Sequence, residues 1–364
     1  MEYWQLPGPA AFARAIADAV ANGCNVIVAS PATAGPVVAK MIDEHDGWGF
    51  GANCPCVASG GTPIDDLFEA LDIDERVPSK RTIATLMASL DRSHRVVVSG
   101  LLPEWIDEWM RFANEYESAC RAVGKFDRTQ IIMLVAGVPK HMLPASAPAL
   151  EVLIWDGWVG EADVLGYIAG RWRAERRVID VKAKLEARIV TRLAMWDFDL
   201  VDRLMELSTA ELFDPATRLS SMAQEEVGHL ARSWESGGVG QFDGEDQVHS
   251  LVLADEGDPK DELSMRLWAA QAAELLPLLE IRRRHLVERM RAVPGVSRAM
   301  TLNGAAVRDL DDVEIGELAY LADQFTFPRP ILNEAKRLRW LRNRLSHLCP
   351  VSLDEAQVAL ELRP

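Results

Sequence analysis

Three residues near the carboxyl end are of the types that phosphate chemistry uses: Arg342, Asn343 and His347. An imidazole titrates near neutral pH and can take or give a proton there. A guanidinium presents a planar fork that grips phosphate in bidentate fashion. The element that must position them is an amphipathic helix, expected over 332–349. Leu338, Leu341, Leu345 and Leu348 fall on one face of it. Lys336, Arg337, Arg339, Arg342 and Arg344 lie mostly off that face, with Glu334 as the nearby acid. Pro350 should stop the helix, because a residue before proline is pushed out of the α region. Asn343 and His347 are four apart and share a face. Arg342 and His347 are five apart, about 140° around an ideal helix. These two could meet one ligand only through long side chains, a distorted last turn or a second subunit.

The run Arg342-Asn343-Arg344-Leu345-Ser346-His347 resembles the signature of the HEPN family of nucleotide-binding domains, an Arg, a polar residue, a short spacer and a His late in a helical bundle. The resemblance implies a metal-independent ribonuclease site assembled across a dimer. In it His347 would be general base on a ribose 2′-hydroxyl or acid on the leaving oxygen. Arg342 would hold and neutralise the phosphate, and Asn343 would orient the site. No metal and no cofactor is implied. The alternative is a plain amphipathic helix with solvated arginines and a histidine near its carboxyl end, where the helix dipole favours a cation.

Composition sets the frame for that site. The 364 residues suggest two domains, and 49% apolar with 26% charged residues is ordinary for a globular protein. A net charge of −16 argues against general duplex DNA binding, which needs a widespread basic surface. It leaves room for a local RNA site. Five scattered cysteines with no signal peptide suggest free thiols in a cytoplasmic location. Apolar runs are too short for a membrane span.

The amino-terminal part reads as strands alternating with helices. Phe12, Ile16 and Val20 give an apolar helix face before the strand Asn25–Ala29. A turn from Ser30 to Gly35 follows, and Pro36 opens the next helix. Strand, small-residue loop and helix is the layout of a phosphate-binding loop. Ser30 stands at the first glycine position and Gly35 at the second. Pro36 replaces the phosphate-gripping lysine, and Val37 replaces the magnesium-binding hydroxyl. The layout resembles a P-loop NTPase with its working residues gone, so ATP hydrolysis is not expected. Any strand-turn-helix unit would read the same way.

Further apolar strands are expected at 95–100, 130–136 and 150–155. Trp105, Trp109, Phe112 and Tyr116 line one face of the helix between the first two. Alternating strands and helices predict a parallel sheet covered on both faces. Ligands in such folds sit at the carboxyl ends of the strands. That expectation places Ser30 to Gly35, Ser99 and Asp156 near one another, with Ser30, Gly35 and Asp156 as a vestigial nucleotide site. The glycine-rich stretch 47–51 and Cys54-Pro55-Cys56 read as a surface loop. With His45 these cysteines supply only three zinc ligands at poor spacing.

Beyond about residue 160 the periodicity is helical. Leu185, Ile189, Leu193 and Trp196 form a stripe, and Pro277 should kink a long helix at 263–293. Glu226 and His229 form a lone Glu-x-x-His, insufficient for a di-iron centre. Residues 235–262 are rich in acid and glycine and read as a loop, with a short strand near 248–254. Arg282-Arg283-Arg284-His285 is a second basic cluster that could join the final helix around RNA or neutralise nearby acids.

The expected architecture is therefore a degenerate P-loop NTPase-like α/β domain at 1–160 and a mostly α-helical domain at 161–364. Degenerate NTPase folds joined to HEPN-like tails resemble components of prokaryotic conflict and antiphage systems. That resemblance implies an RNA-cleaving or RNA-binding effector, with protein partners and a homo-oligomer. The alternative is a non-catalytic scaffold or adaptor.

Overall fold

A computed structural model of the chain describes residues 3–44, 53–73, 77, 80–89, 95–124, 129–225, 230–258, 261–293, 301–302, 305–307, 309 and 310–360. The glycine-rich stretch 47–51, His45 and the Glu226/His229 pair lie outside the described residues. The chain divides into two compact units. The first comprises 1–163 and 226–252, and the second 164–225 and 253–364.

The first unit is built on a five-stranded parallel sheet. Its strands are β1 (Asn25–Ser30), β2 (Asn53–Val57), β3 (Arg95–Ser99), β4 (Gln130–Ala136) and β5 (Leu150–Ile154), in the order β2-β3-β4-β1-β5. The expected α/β architecture is present, with β1 between β4 and β5 and sealed on both faces. Ile27 packs with Val96, Val98, Ile131 and Met133 on one face. Helices α3 (Pro63–Ala70), α4 (Ile83–Ser89) and α5 (Ile106–Cys120) cover that face with Phe68, Leu86, Trp109, Phe112 and Tyr116. The aromatic stripe is thus core. The other face meets α1 (Pro7–Ala21), whose Phe12, Ile16 and Val20 are buried, and α2 (Gly35–Glu44) with Val38, Met41 and Ile42.

The Cys54-Pro55-Cys56 stretch is a strand rather than a loop. β2 lies at the sheet edge, beside β3 only. An edge strand tolerates the missing N–H of Pro55. Cys56 is fully buried, and burial with the nearby Asp66 carboxylate pushes its thiol up to about 11.

Asn25 locks the base of β1. Its side-chain oxygen accepts from the Ile131 N–H at 3.0 Å, and its amide donates to the Ala149 carbonyl at 3.1 Å. One buried side chain therefore satisfies backbone groups on both sides of β1.

The acidic stretch is not a simple loop. After α6 (Glu161–Ala174), α7 (Val181–Ala194), α8 (Phe198–Met205), α9 (Thr209–Phe213) and α10 (Ala216–Glu225), the chain returns to the first unit. There it forms an antiparallel hairpin of β6 (Val239–Phe242) and β7 (Glu245–Val248), then α11 (Ser250–Asp255). The segment near 248–254 is thus mostly helical, contrary to the strand expectation. The turn residue Asp243 puts its carboxylate on the Glu161 N–H at 2.9 Å, at the start of α6. Asp258 likewise accepts from the Glu262 and Leu263 N–H groups at 2.8 and 2.9 Å, so two acids of the stretch serve as backbone acceptors.

The second unit is helical. α12 (Glu262–Arg291) packs against α7, α14 (Arg329–Ser346) and α15 (Leu353–Leu360), and α14 also packs against α13 (Ile315–Gln324). α12 runs through Pro277 as one helix. Proline orphans the carbonyl four residues back. Ala273 and Pro277 are both exposed, so water can satisfy that carbonyl. Leu185, Ile189 and Leu193 are buried as the stripe requires, but Trp196 falls past the end of α7. Among the described residues, no helix is long and apolar enough to cross a membrane.

Candidate functional site

Two places fit the sequence expectations, one in each unit. At the carboxyl end of the sheet, Ser30 ends β1 and is buried, while Gly35 opens α2. A side chain at Gly35 would press on the Ala136 methyl at 2.8 Å, so the loop lies tight against the end of β4. Asp156 follows β5, the neighbour of β1. Ser99 ends β3, which β4 separates from β1, so it stands about 10 Å away across two strand spacings. Ser30, Gly35 and Asp156 are thus close in the sheet, and Ser99 is set apart.

That end of the sheet is filled by the returning segment. The Ala32 N–H, in the loop after β1, donates to the Glu235 carbonyl at 2.8 Å. Gly237, at φ +89°, leaves no room for a side chain against the Thr33 hydroxyl. Asp156 accepts from the Gln241 N–H at 2.7 Å and pairs with the Lys140 ammonium. Lys140 also lies 5.0 Å from the centre of the Trp234 ring. A phosphate-binding loop works through free backbone N–H groups and a nearby cation. Here a loop N–H is bonded to the chain's own carbonyl, and the nearby cation is bonded to a carboxylate.

The second place is the end of α14. Leu338, Leu341 and Leu345 are buried as the stripe predicts. The helix stops at Ser346, before Pro350 can act. The Cys349 N–H reaches the Arg344 carbonyl at 3.1 Å and the Leu348 N–H reaches the Leu345 carbonyl at 3.3 Å. This is a Schellman closure, with Leu348 at φ 57° where glycine is usual. It leaves His347 as the C-cap residue, exposed to solvent.

Two α12 side chains hold this turn, and neither was visible as functional in the sequence. The Trp268 indole N–H donates to the Leu345 carbonyl at 2.6 Å. Gln271, fully buried, donates to the Val351 carbonyl and accepts from the Val351 N–H, each at 2.8 Å. A buried glutamine pointing at a chain reversal is the only signal they offered.

Arg342 and Asn343 sit one turn before His347. Asn343 is half-buried and Arg342 exposed. The Arg342 guanidinium turns to Glu314, 3.4 Å away at the start of α13. It lines a hollow shared with Glu280, Asp311 and Asp312, a field hostile to phosphate. Five residues of helix also separate Arg342 from His347 by about 7.5 Å along the axis. Within one chain the two groups are not brought together.

The second basic cluster splits in two. Arg283 donates to Glu280 and to the carbonyls of Asp311 and Val313, and Arg284 lies 3.6 Å from Glu280. Arg282 instead faces α14. Among the described residues, no three His, Cys, Asp or Glu side chains gather as a metal site. No protein-family model matches this chain, and no curated protein matches it.

Proposed function

We propose that this protein is a non-catalytic adaptor whose α/β unit keeps a nucleotide-binding layout for its shape. The observation that carries this reading is the hydrogen bond from the loop after β1 to the Glu235 carbonyl, with Gly237 seated on Thr33. The place a nucleotide phosphate would take is occupied by residues 235–241 of the same chain. Pro36 and Val37 stand where a lysine and a hydroxyl are needed. Such a unit presents a fixed surface to protein partners or to a second copy of itself. Isothermal titration with ATP or GTP and magnesium should give no binding heat. Saturable heat with either nucleotide would overturn the reading.

A second reading has its own support. His347 is exposed on a turn clamped by Trp268 and Gln271, as a proton-transfer group needs. The HEPN-like run would then cleave RNA once a two-fold mate supplied the missing arginine. That reading expects RNA cleavage without metal, abolished by His347→Ala with folding intact. An intact RNA after prolonged incubation with the wild-type protein removes it.

A further inference from the structure

A basic concavity lies apart from Arg342. It lies between α12, the first half of α14 and α15, with a volume of about 550 Å3. Arg282 and Arg289 of α12 face Asn333, Glu334, Lys336 and Arg337 of α14 across it. Four cations stand against one carboxylate, in a chain whose net charge is −16. The partners sort these cations. Arg289 pairs with Glu334, and Lys336 lies 3.1 Å from Asp323. Arg282 and Arg337 have no ion pair among the described residues. The Arg282 Nε is buried and has no hydrogen-bond partner. A buried donor without an acceptor is costly, and an incoming anion would remove that cost.

A second hollow of about 400 Å3 continues from the first, sharing Arg337 and Val358. It adds Trp340, whose side chain is 43% exposed, and the acids Asp354 and Glu355. The two hollows differ in what they can take. Two guanidinium groups without counter-ions suit phosphate oxygens. An exposed indole suits the flat face of a base, and neighbouring carboxylates can accept from the exocyclic amines of adenine or cytosine. An acidic peptide would meet the forks well but then run onto Asp354 and Glu355. The alternation of cation, ring and carboxylate fits a chain that alternates phosphate and base.

We infer that the α12–α14–α15 cleft binds single-stranded nucleic acid, with Arg282 and Arg337 on the phosphates and Trp340 under a base. This proposal does not depend on cleavage at His347 or on nucleotide binding by the α/β unit. It is local, so the acidic remainder of the chain keeps duplex from spreading over the surface.

The test uses the full chain and a fluorescent oligodeoxyadenylate of about 12 nucleotides, a length near the usual single-strand site size. A DNA strand has no 2′-hydroxyl, so binding is read apart from any RNA cleavage. Anisotropy should show saturable binding that weakens with salt, with a log–log slope near about −1.4 for about two phosphates. The double variant R282Q/R337Q should lose at least about tenfold in affinity, two charge-assisted contacts being removed. R337Q alone changes an exposed side chain and should lose about threefold while its circular dichroism stays that of wild type. Arg173→Gln, an exposed arginine of α6 outside the cleft, makes the same charge change and should bind as wild type. Absence of salt-sensitive binding by the wild type overturns the proposal. So does equal binding by R337Q and the double variant, or displacement of the strand by polyglutamate as readily as by unlabelled DNA.

Discussion

The carboxyl end of the sheet and the carboxyl end of α14 were both expected to meet phosphate, and they are finished in opposite ways. At the sheet, polar groups are turned inward on the chain itself. The Ala32 N–H goes to Glu235, and Asp156 goes to Gln241 and Lys140. At the end of α14 the backbone is equally well satisfied, yet His347 is exposed, and in the separate cleft along the first half of that helix Arg282 and Arg337 lack counter-ions among the described residues. A site is defined by donors left over after folding. By that measure the sheet's end is closed except for the Trp234 indole N–H, which is buried without an acceptor, and the helical side retains guanidinium capacity for a ligand.

The sharpest way to break this contrast is at Asn25. Asn25→Ala strands the Ile131 N–H in the core, while the Ala149 carbonyl keeps the backbone N–H of residue 25, and should cost about 2 kcal/mol. Hydrogen exchange should show the loss in β1 and β4, with α14 protection unchanged. Uniform loss across both regions would mean that they do not fold as separable units. Gln271→Ala should cost about 2 kcal/mol by stranding both backbone groups of Val351. Its mark is faster exchange of the Val351 amide and a looser turn at His347, with β1 unaffected.

Gly237→Val should cost about 1.5 kcal/mol, combining a left-handed backbone with a clash against Thr33. It also asks whether obstruction alone silences the loop after β1. With Pro36 and Val37 in place, ATP binding should stay absent even as the melting temperature falls. Leu348→Gly should raise stability by about 1 kcal/mol, since a branched residue holds the left-handed position of the Schellman turn. The smallest effect is at Arg342. Its exposed pair with Glu314 should contribute only a few tenths of a kcal/mol, so Arg342→Gln should barely move a urea midpoint.

The apolar strands of the sheet could be read from sequence because a strand buried on both faces is a continuous apolar run. Four of the five announced themselves that way. β2 did not, since Cys54-Pro55-Cys56 carries a proline and no run of β-branched residues; the edge position is not the reason, because β5 at the other edge was legible. The leucine stripe of α14 was legible for the same reason, and its last turn was not. Nothing in the sequence says that Leu348 will accept a glycine's conformation and close the helix before Pro350. The filling of the sheet's carboxyl end was also hidden. It depends on contacts between the loop after β1 and residues some two hundred positions later, which no local pattern encodes. The basic cleft was half visible. Both clusters could be seen, but which of their arginines are cancelled by Glu280, Asp311 and Glu314 depends on tertiary placement.

The return of residues 226–252 to the first unit has a consequence for biosynthesis. A ribosome releases the five sheet strands well before it has made Glu235, Gly237 or Gln241. At about 5–20 residues per second, the nascent sheet waits on the order of 5–20 s with its upper rim uncovered. During that interval the polar groups of the Ser30–Gly35 loop are open to whatever the cell offers, and translation itself sets when they close.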